Sequence, residues 1–450
     1  MTSSADPRDV LRTAPMSVLQ IVIVGITIAL NALDGFDVTS ISYASPGISK
    51  EWNLPPGGLG LVLSMELIGM AIGSIVIGNI ADRIGRRPTM LVCLAFMTVG
   101  MTLATTAGDP TTLSVWRVVT GLGIGGMLAA INAVAAEFAN DKRKHLSVSL
   151  MSIGYPLGAV FGGMGVARLL QAQPDNWRSV FFLGAGATVV LIPIVWFFIP
   201  ESVHWLARKQ PAGALDKINR AMARMGHQSI AALPEIPVAA RKQSVGDIFG
   251  PAMVVTTVLV TLAYFFHIVT FYYIIKWVPK IVVDMGFVPS SAARVLMWTN
   301  VGGATGGAIF GFLTLKYGVK PLTILTLVVS TVGVSLFGKA PADLQTLIYI
   351  CMFCGFFINA GIVGLYAIIA QAFPTHVRAS GTGFAIGAGR GGSVLAPIIA
   401  GYLFQFGFSL PTVSFALGAG SILGAVMVLL LKLDDKGTQE QPAALKPART

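Results

Sequence analysis

Long apolar stretches recur along the whole chain, separated by short turns rich in charge, proline or glycine. A helix that crosses a bilayer needs about 20 mainly apolar residues, and these stretches approach or exceed that length. Six precede residue 200 and six follow residue 250, at approximately 16–48, 57–80, 88–107, 113–138, 146–170, 180–199, 251–275, 290–315, 321–337, 344–373, 379–404 and 410–431. The pattern predicts an all-α integral membrane protein with twelve transmembrane helices.

The composition favours a membrane protein over a set of soluble domains. Apolar residues make up 54% of the 450 residues, charged residues make up 11%, and the mean hydropathy is +0.75. The net charge of +11 requires no acidic partner, because Lys and Arg in cytoplasmic loops orient a membrane protein. We therefore expect the lipid bilayer as the surroundings and no nucleic acid as a partner.

A polar segment at 200–250 divides the predicted spans into two sets of six. We predict an N-terminal six-helix bundle at 1–199, a cytoplasmic linker at 200–250 and a C-terminal six-helix bundle at 251–450 that ends in a short cytoplasmic tail. Basic residues cluster after the second and fourth spans and in the linker, so we expect both termini in the cytoplasm. The linker residues 212–225 fit a short amphipathic helix on the inner membrane surface or an ordinary solvated segment.

Asp34 and Asp37 are the only carboxylates in the first apolar stretch. An aspartate at the centre of a spanning helix costs about 2.5–3.5 kcal/mol, so such residues usually face a bundle interior or a water-filled cavity. A spacing of three places both side chains on one helix face, where each carboxylate raises the proton affinity of the other. We interpret them as a proton-binding pair; the alternatives are a structural pair satisfied by neighbouring helices and an end-of-helix cluster already in water.

Three further polar residues lie inside predicted spans. Glu66 lies in the middle of span two and could pair with Arg117 or join a proton path. Arg390 lies about ten residues into span eleven and requires an anion, which could be a substrate carboxylate or a protein carboxylate from another span. His267 in span seven stands among aromatic residues, as a packing histidine or as part of a cavity wall.

Two patterns resemble cofactor or metal sites and are rejected. The glycines of span four match G-x-G-x-x-G, but a dinucleotide site requires a preceding strand. Cys351 and Cys354 have C-x-x-C spacing without a second ligand pair, and with Cys93 they fit small packing residues. We expect no metal and no cofactor, and because no nucleophile-and-base set stands out we expect no enzyme activity.

A glycine- and arginine-rich turn joins spans two and three, and a weaker copy, Gly311 to Pro321, joins spans eight and nine. The first copy, G-x-x-x-D-R-x-G-R-R, resembles the signature loop of the major facilitator superfamily. That family implies two six-helix bundles around a cavity that opens alternately to either side, with this loop at the cytoplasmic gate. Leu315 replaces the aspartate in the second copy. The gate residues are then Gly78, Asp82, Arg83, Gly85, Arg86 and Arg87.

Two residues of span four extend this resemblance. Arg117, with Gly121 four residues later, is similar to the R-x-x-x-G of the superfamily's fourth helix, where the arginine is associated with proton coupling. The alternative is an arginine that extends to the outer interface. Glu137 closes the span, and we expect it to form an ion pair with the arginines of the loop at the gate; the alternative is a solvated helix end.

The chain also resembles the aromatic acid:proton symporter family within this superfamily. The similarity rests on Asp34-Gly-Phe-Asp37, on 373–381 after span ten, and on Gly389-Arg390-Gly391 with Pro397. It implies an importer of a benzoate-like, hydroxybenzoate-like or phenylpropanoid-like acid in bacteria, with the Asp34/Asp37 pair among its functional residues. We expect a monomer in the inner membrane that is coupled to protons through this pair. Because superfamily helices one, four, seven and ten line the cavity, the substrate site would add to Arg390 the side chains of Asn31, His267, Tyr272, Tyr273, Asn359 and Tyr366. The alternative is a carrier for a sugar, a quaternary amine or another organic solute.

Overall fold

The computed structural model describes residues 6–235, 245–251, 253–374 and 377–432, which form sixteen α-helices and one 3-10 helix. Before residue 235 these are α1 (Pro7–Thr13), α2 (Val18–Glu51), α3 (Pro56–Ile84), α4 (Arg86–Ala104), α5 (Pro110–Glu137), α6 (Lys144–Ala172), α7 (Arg178–Phe198), α8 (Val203–Lys209) and α9 (Ala214–Arg224). After it come the 3-10 helix Val245–Phe249 and α10 (Val254–Asp284), α11 (Pro289–Leu313), α12 (Val319–Gly338), α13 (Leu344–Ala372), α14 (Arg378–Gly389), α15 (Gly391–Gln405) and α16 (Leu410–Leu430). Thr375 and His376 of the expected motif lie outside the described residues, as do 236–244 of the linker and 433–450 of the tail.

Eleven membrane-spanning segments are present in the described part of the chain, by helix length and apolarity. They are α2 to α7, α10, α12, α13, α16 and the segment Ser380–Gln405, which joins α14 to α15. The sequence predicted twelve. α11 has 25 residues and is long enough, but Arg294, Asn300 and a series of Ser, Thr and Gly residues make it less apolar than the others.

Some of the predicted spans begin at side-chain caps, as α2 and α5 do. At the start of α2, Gln20 N donates to Ser17 Oγ at 3.4 Å and Ser17 N donates to Gln20 Oε1 at 2.8 Å, which is a capping box. At the start of α5, the Asp109 carboxylate accepts from the backbone of Thr111 and Thr112. These caps satisfy amides that would otherwise lack partners at the ends of apolar helices.

Glycines bring two pairs of helices into backbone contact in the N-terminal half. A β-carbon added to Gly158 of α6 would lie 1.7 Å from the carbonyl oxygen of Ala32 in α2. Between α3 and α5, a β-carbon on Gly121 would lie 2.1 Å from the carbonyl oxygen of Glu66. Both contacts are typical of small-residue packing between membrane helices. They confirm the glycine-rich stretch of span four as a packing face inside a helix.

The described chain has one core shared by the two halves and two cores that belong to one half each. We call the side where α2 begins and α16 ends the terminal side, and the other the far side. Near the far side a single cluster joins Tyr43 and Leu63 to Trp277 and Leu296. Toward the terminal side the N-terminal half has its own cluster around Met127, and the C-terminal half has another around Leu327, Leu365 and Ile369. The halves are therefore joined at the far side and have separate cores toward the terminal side.

The amphipathic segment of the linker is helical, as one of the two alternatives proposed, but protein rather than lipid covers its apolar face. Ile218 and Met222 of α9 are fully buried in the core of the N-terminal half, where Leu11 of α1 joins them. Arg12 and Asp141 add an ion pair of 3.1 Å between α1 and the turn after α5. The expectation of a helix lying on the membrane surface is thus corrected: α1, α8 and α9 pack on the N-terminal half.

Because α2 and α6 are in backbone contact, we predict that adding one methyl group at this contact destabilises the fold. We expect Gly158→Ala to lower the unfolding free energy by about 1–3 kcal/mol, because the new β-carbon meets backbone atoms that cannot move away cheaply. Thermal unfolding in detergent, followed by tryptophan fluorescence, measures the loss as a lower Tm.

The matched control is Gly186→Ala in α7, where a β-carbon meets no atom within 4 Å. Its Tm should stay the same or rise, since Ala favours a helix over Gly by up to about 1 kcal/mol. Equal Tm values for both variants would contradict the close crossing of α2 and α6.

Candidate functional site

Asp34 and Asp37 lie inside the N-terminal half and are 2% and 0% exposed. None of their four carboxylate oxygens has a hydrogen-bond partner in the described residues. Asp37 faces α7, because a β-carbon added to Gly184 would lie 3.2 Å from its Oδ1. The backbone oxygen of Asp37 accepts a hydrogen bond of 3.0 Å from Arg117 Nη2. The pair is therefore enclosed, and its carboxylates are not satisfied by neighbouring helices.

Glu66, Arg117 and Lys276 form a buried ionic triad beside this pair, and all three side chains are 0% exposed. Glu66 Oε2 lies 2.6 Å from Arg117 Nη2 and 3.4 Å from Lys276 Nζ. The Arg117 guanidinium also lies over the ring of Phe181, at 5.1 Å from its centroid. Of the alternatives left open, Glu66 thus pairs with Arg117, and Arg117 is buried instead of extending to the interface.

Sequence reasoning missed Lys276, because span seven was expected to end at residue 275. In the structure α10 continues to Asp284, so the lysine lies within a spanning helix. Its Nζ donates a hydrogen bond of 2.6 Å to the carbonyl oxygen of Val38 in α2. The available signal was the apolar sequence on both sides, Ile274-Ile275 before the lysine and Trp277-Val278 after it.

Arg390 occupies the one-residue interruption between α14 and α15 and is half-buried. The hydroxyl groups of Tyr264, Tyr272 and Tyr366 lie in electrostatic range of its guanidinium. Gly389 allows this approach, since a β-carbon there would lie 2.4 Å from Cδ1 of Tyr264. No carboxylate of the described chain forms an ion pair with Arg390, which leaves the mid-membrane cation without a protein anion.

Tyrosines occupy the space between Arg390 and the buried carboxylates. Tyr264 and Tyr366 hydroxyls are 3.2 Å apart, and their rings are 5.6 Å apart between centroids. Tyr155 of α6, which sequence reasoning missed, interacts with Tyr272 and lies in electrostatic range of Arg390, Glu66 and Asp34. The two halves therefore meet here through aromatic side chains.

A cavity of about 40 Å³ lies next to these tyrosines, between α6 of one half and α10, α11 and α13 of the other. Its lining includes Tyr155, Phe271 and Asn359. The Asn359 amide donates a hydrogen bond of 2.6 Å to the carbonyl oxygen of Gly303. Among the residues predicted for a substrate site, the structure thus places Asn359, Tyr272 and Tyr366 close to the space between the halves.

Three other residues predicted for the substrate site instead form hydrogen bonds between packed helices. Both ring nitrogens of His267 are occupied, at 2.8 Å from Ser421 Oγ and 2.8 Å from the carbonyl oxygen of Ile358. The Tyr273 hydroxyl lies 2.7 Å from Ser414 Oγ. Asn31 donates its amide to the carbonyl oxygen of Met151 at 2.7 Å, which ties α2 to α6. These side chains hold helices together, and of the three only Asn31 has a buried polar atom without a partner in the described residues, its Oδ1.

The signature loop forms a polar cluster at the terminal side. Arg86 lies 2.8 Å from Asp82 and 3.2 Å from Glu137, so the ion pair expected between Glu137 and this loop is present. Glu201 accepts a hydrogen bond of 2.8 Å from the backbone of Arg86, and burial raises the pKa of the Glu201 carboxyl above its usual value. Gly85 has φ of +107°, and a β-carbon there would lie 2.2 Å from Glu201 Oε2.

Other loop residues contribute less than the sequence suggested. Arg87 packs over Trp196, at 4.9 Å from its ring centroid, and Arg83 is exposed. Gly78 permits no unusually close approach, since a β-carbon there would meet only Ala129 at an ordinary 3.8 Å. The described contacts of the cluster all lie within the N-terminal half and α8. In the second copy of the loop, Leu315 is 84% exposed.

The described residues contain eleven apolar helical spans with charged side chains enclosed between them, so the chain is a multi-pass membrane protein. Its sequence matches the profile of the Major Facilitator Superfamily over residues 27–298 and 260–450. The chain belongs to this superfamily, and the resemblance predicted from the signature loop is confirmed.

Several relatives are named as transporters of aromatic acids. The chain is 25% identical over 427 residues to the gallate transporter of Pseudomonas putida, covering 94% of each protein. It is 27% identical over 423 residues to the 3-(3-hydroxy-phenyl)propionate transporter of Escherichia coli (strain K12), covering 94% of this chain and 96% of that protein. The benzoate transport protein of Acinetobacter baylyi is 28% identical over 420 residues, or 91% of this chain and 88% of that protein. The predicted resemblance to aromatic acid transporters is therefore confirmed.

Solved structures of the same fold include a D-xylose-proton symporter. Its crystal structure gives a TM-score of 0.71 at 18% identity and covers 91% of this chain and 97% of that one. An inward open conformation of the E. coli xylose transporter XylE gives a TM-score of 0.70, also at 18% identity, over 93% of this chain and 98% of that one. At this identity the likeness shows the fold alone.

The hydrogen bonds of His267 predict a structural role that a stability measurement can test. His267→Leu leaves Ser421 and the carbonyl of Ile358 buried without partners, which costs about 1–3 kcal/mol for each group. We expect a Tm several degrees lower in detergent.

The control is His145→Leu, at an exposed position near the start of α6. Its stability should change by no more than about 0.5 kcal/mol. An unchanged Tm for His267→Leu would return this histidine to the list of ligand-binding candidates.

Proposed function

We propose that this protein is a secondary active transporter that imports an aromatic carboxylic acid together with protons, by alternating access. The observation that carries the proposal is Arg390, a mid-membrane cation surrounded by tyrosines and unpaired with any carboxylate of the described chain. The names of the relatives, which include gallate and benzoate transporters, support the choice of substrate class.

The substrate carboxylate binds the Arg390 guanidinium, whose planar donors fit a carboxylate through two parallel hydrogen bonds. The aromatic ring of the substrate stacks, in offset or edge-to-face geometry, on Tyr264, Tyr272 and Tyr366. Tyr155 closes the site from the other half. A sugar or a quaternary amine, the alternative substrates, would leave the cation at Arg390 without a counter-charge.

Asp34 and Asp37 carry the proton and do not contact the substrate, whose negative charge they would repel. Their oxygens are buried without donors, so a charge on either carboxylate is costly in this conformation. Arg117 and Glu66 adjoin the pair and complete the coupling site, because the Arg117 guanidinium joins Glu66 to the backbone of Asp37. A coupled pair titrates as a unit, so the proton belongs to both aspartates.

The proposed architecture is two six-helix bundles in the bacterial inner membrane, with α11 as the twelfth span and a monomer as the working unit. Basic residues at the terminal side support a cytoplasmic position for that side and for both chain ends. The separate cores toward the terminal side then fit an inward-open conformation. The cluster of Asp82, Arg86 and Glu137 acts at the cytoplasmic gate when the halves approach each other there.

Neutralising the aspartates should uncouple uptake from the proton gradient. We expect Asp34→Asn and Asp37→Asn each to reduce acid-driven accumulation of aromatic acid in proteoliposomes to the level of protein-free liposomes. Counterflow exchange should persist, since Asn imitates the protonated carboxyl. The measurement is uptake of radiolabelled benzoate, 4-hydroxybenzoate or gallate, with the acid first selected by a counterflow screen.

Asp175→Asn is the matched control, since Asp175 is exposed at the far side and pairs with Lys50. It should retain acid-driven uptake. Full accumulation by both intramembrane variants would remove Asp34 and Asp37 from the proton path.

Replacing Arg390 by lysine keeps the charge but removes the bidentate geometry. We expect Arg390→Lys to weaken substrate binding about tenfold, or about 1.4 kcal/mol, as a higher KM or a higher concentration for half-maximal competition. Arg294→Lys, at an exposed arginine of α11, should match the unmodified protein. An unchanged uptake curve would identify Arg390 as structural, and competition by sugars in place of benzoates would favour the alternative substrate class.

A further inference from the structure

Lys276 is the only member of the buried triad that comes from the C-terminal half. Its two acceptors, the carbonyl oxygen of Val38 at 2.6 Å and Glu66 Oε2 at 3.4 Å, belong to α2 and α3 of the N-terminal half. A lysine ammonium has three N–H donors and no acceptor, and a buried one is costly unless it is paired. The lysine therefore depends for its partners on the other half.

The lysine lies in the part of the interface where the halves pack backbone against backbone. A β-carbon added to Gly60 of α3 would lie 2.4 Å from the carbonyl oxygen of Pro397 in α15, and one on Gly401 would lie 2.4 Å from that of Pro56. Ser64 Oγ adds a hydrogen bond of 2.8 Å to the carbonyl oxygen of Val394. Water is excluded from such a contact, which strengthens the attraction between Lys276 and Glu66.

We infer that Lys276 is a latch at the far side, where its ammonium holds the two halves together through Glu66 and the backbone of Val38. Separation of the halves at the far side removes both acceptors at once, because α2 and α3 move with the other half. This inference rests on the alternating access proposed above, and it assigns to that cycle a residue that touches neither the substrate site nor the aspartate carboxylates.

The arrangement of charges allows the latch to open without breaking the N-terminal half. Glu66 Oε2 lies closer to Arg117, at 2.6 Å, than to Lys276, at 3.4 Å. When Lys276 leaves, Glu66 and Arg117 remain as a balanced pair inside their own half. The only ion left to be hydrated is the ammonium, which enters the water of the opening far-side cavity. If the halves were joined by an ion pair with no third charge, their separation would leave two unpaired charges to be hydrated, at a higher free-energy cost.

The experiment measures the far-side separation directly, by electron–electron spin distances in detergent or nanodiscs without substrate. Spin labels are attached through Thr106→Cys in the turn between α4 and α5 and Ala342→Cys in the turn between α12 and α13, both exposed at the far side. The native cysteines Cys93, Cys351 and Cys354 are buried and are expected to stay unlabelled.

With the native lysine, the main distance should be the short one of the closed far side. Lys276→Met should raise the ratio of the open to the closed far-side distance about tenfold or more. Lys276→Arg should restore the closed distance, because the cation can still reach Glu66 and the Val38 carbonyl.

The matched control is Lys280→Met, one helical turn further along α10. Lys280 pairs with Asp284 of the same helix and half, so its loss removes a charge without removing a contact between the halves. Its distance distribution should match that of the unmodified protein. A thermal unfolding scan of each variant checks that the labelled protein is folded.

Two outcomes would overturn the latch: an unchanged distribution in folded Lys276→Met, or an equal shift in Lys280→Met. Failure of the proposed transport function gives a different result. In that case neither benzoate, nor acidification, nor any variant populates a second distance, whereas a failed latch leaves a second distance that ligand or pH still populates. The identity of the transported acid does not affect the distance measurement.

Discussion

The fold depends on the need to partner charge in an interior whose other buried polar residues, in the described part of the chain, are nearly all uncharged. Glu66 meets that need by accepting from Arg117 and Lys276 at once, so that α3, α5 and α10 must converge on one carboxylate. Convergence at this distance is possible because glycines remove the side chains that would hold α3 and α5 apart. The same triad therefore sets helix spacing within one half and contact between the halves.

The chemistry proposed for transport is divided between the halves. The buried carboxylates Asp34, Asp37 and Glu66 are in the first half. Arg390 and the tyrosines near it are in the second half, except for Tyr155. In the proposed mechanism, energetic coupling between proton and substrate must therefore cross the interface, where Tyr155 and Tyr272 pack against the same apolar cluster. Because aromatic hydroxyls are dipoles, they can respond to a change in charge at a lower desolvation cost than buried ionised groups would add.

The sequence predicted those features that follow from length, apolarity and local order. The spans, the packing role of their glycines and the pair of Glu137 with Arg86 were all accessible, since antiparallel helices bring alternate turns to the same side. Lys276 was not, because a lysine after an apolar stretch ordinarily marks the membrane boundary, and its partners are more than 200 residues away. His267 shows the same limit: its partners Ser421 and Ile358 come from helices whose rotation the sequence does not specify.

The two copies of the signature loop differ in how firmly they bind the ends of their helices. In the N-terminal half, Asp82, Arg86, Glu137 and Glu201 join the ends of α3, α4 and α5 to the start of α8. In the C-terminal half, Leu315 takes the place of the aspartate and faces outward. Among the described residues of that loop, Lys320 makes the hydrogen bonds to a distant helix end, with the carbonyl oxygens of Leu429 and Leu431. The halves thus differ in stiffness at their terminal ends. Any elastic deformation that accompanies a change of conformation should be concentrated in the C-terminal half, which also contains Arg390 and its tyrosines.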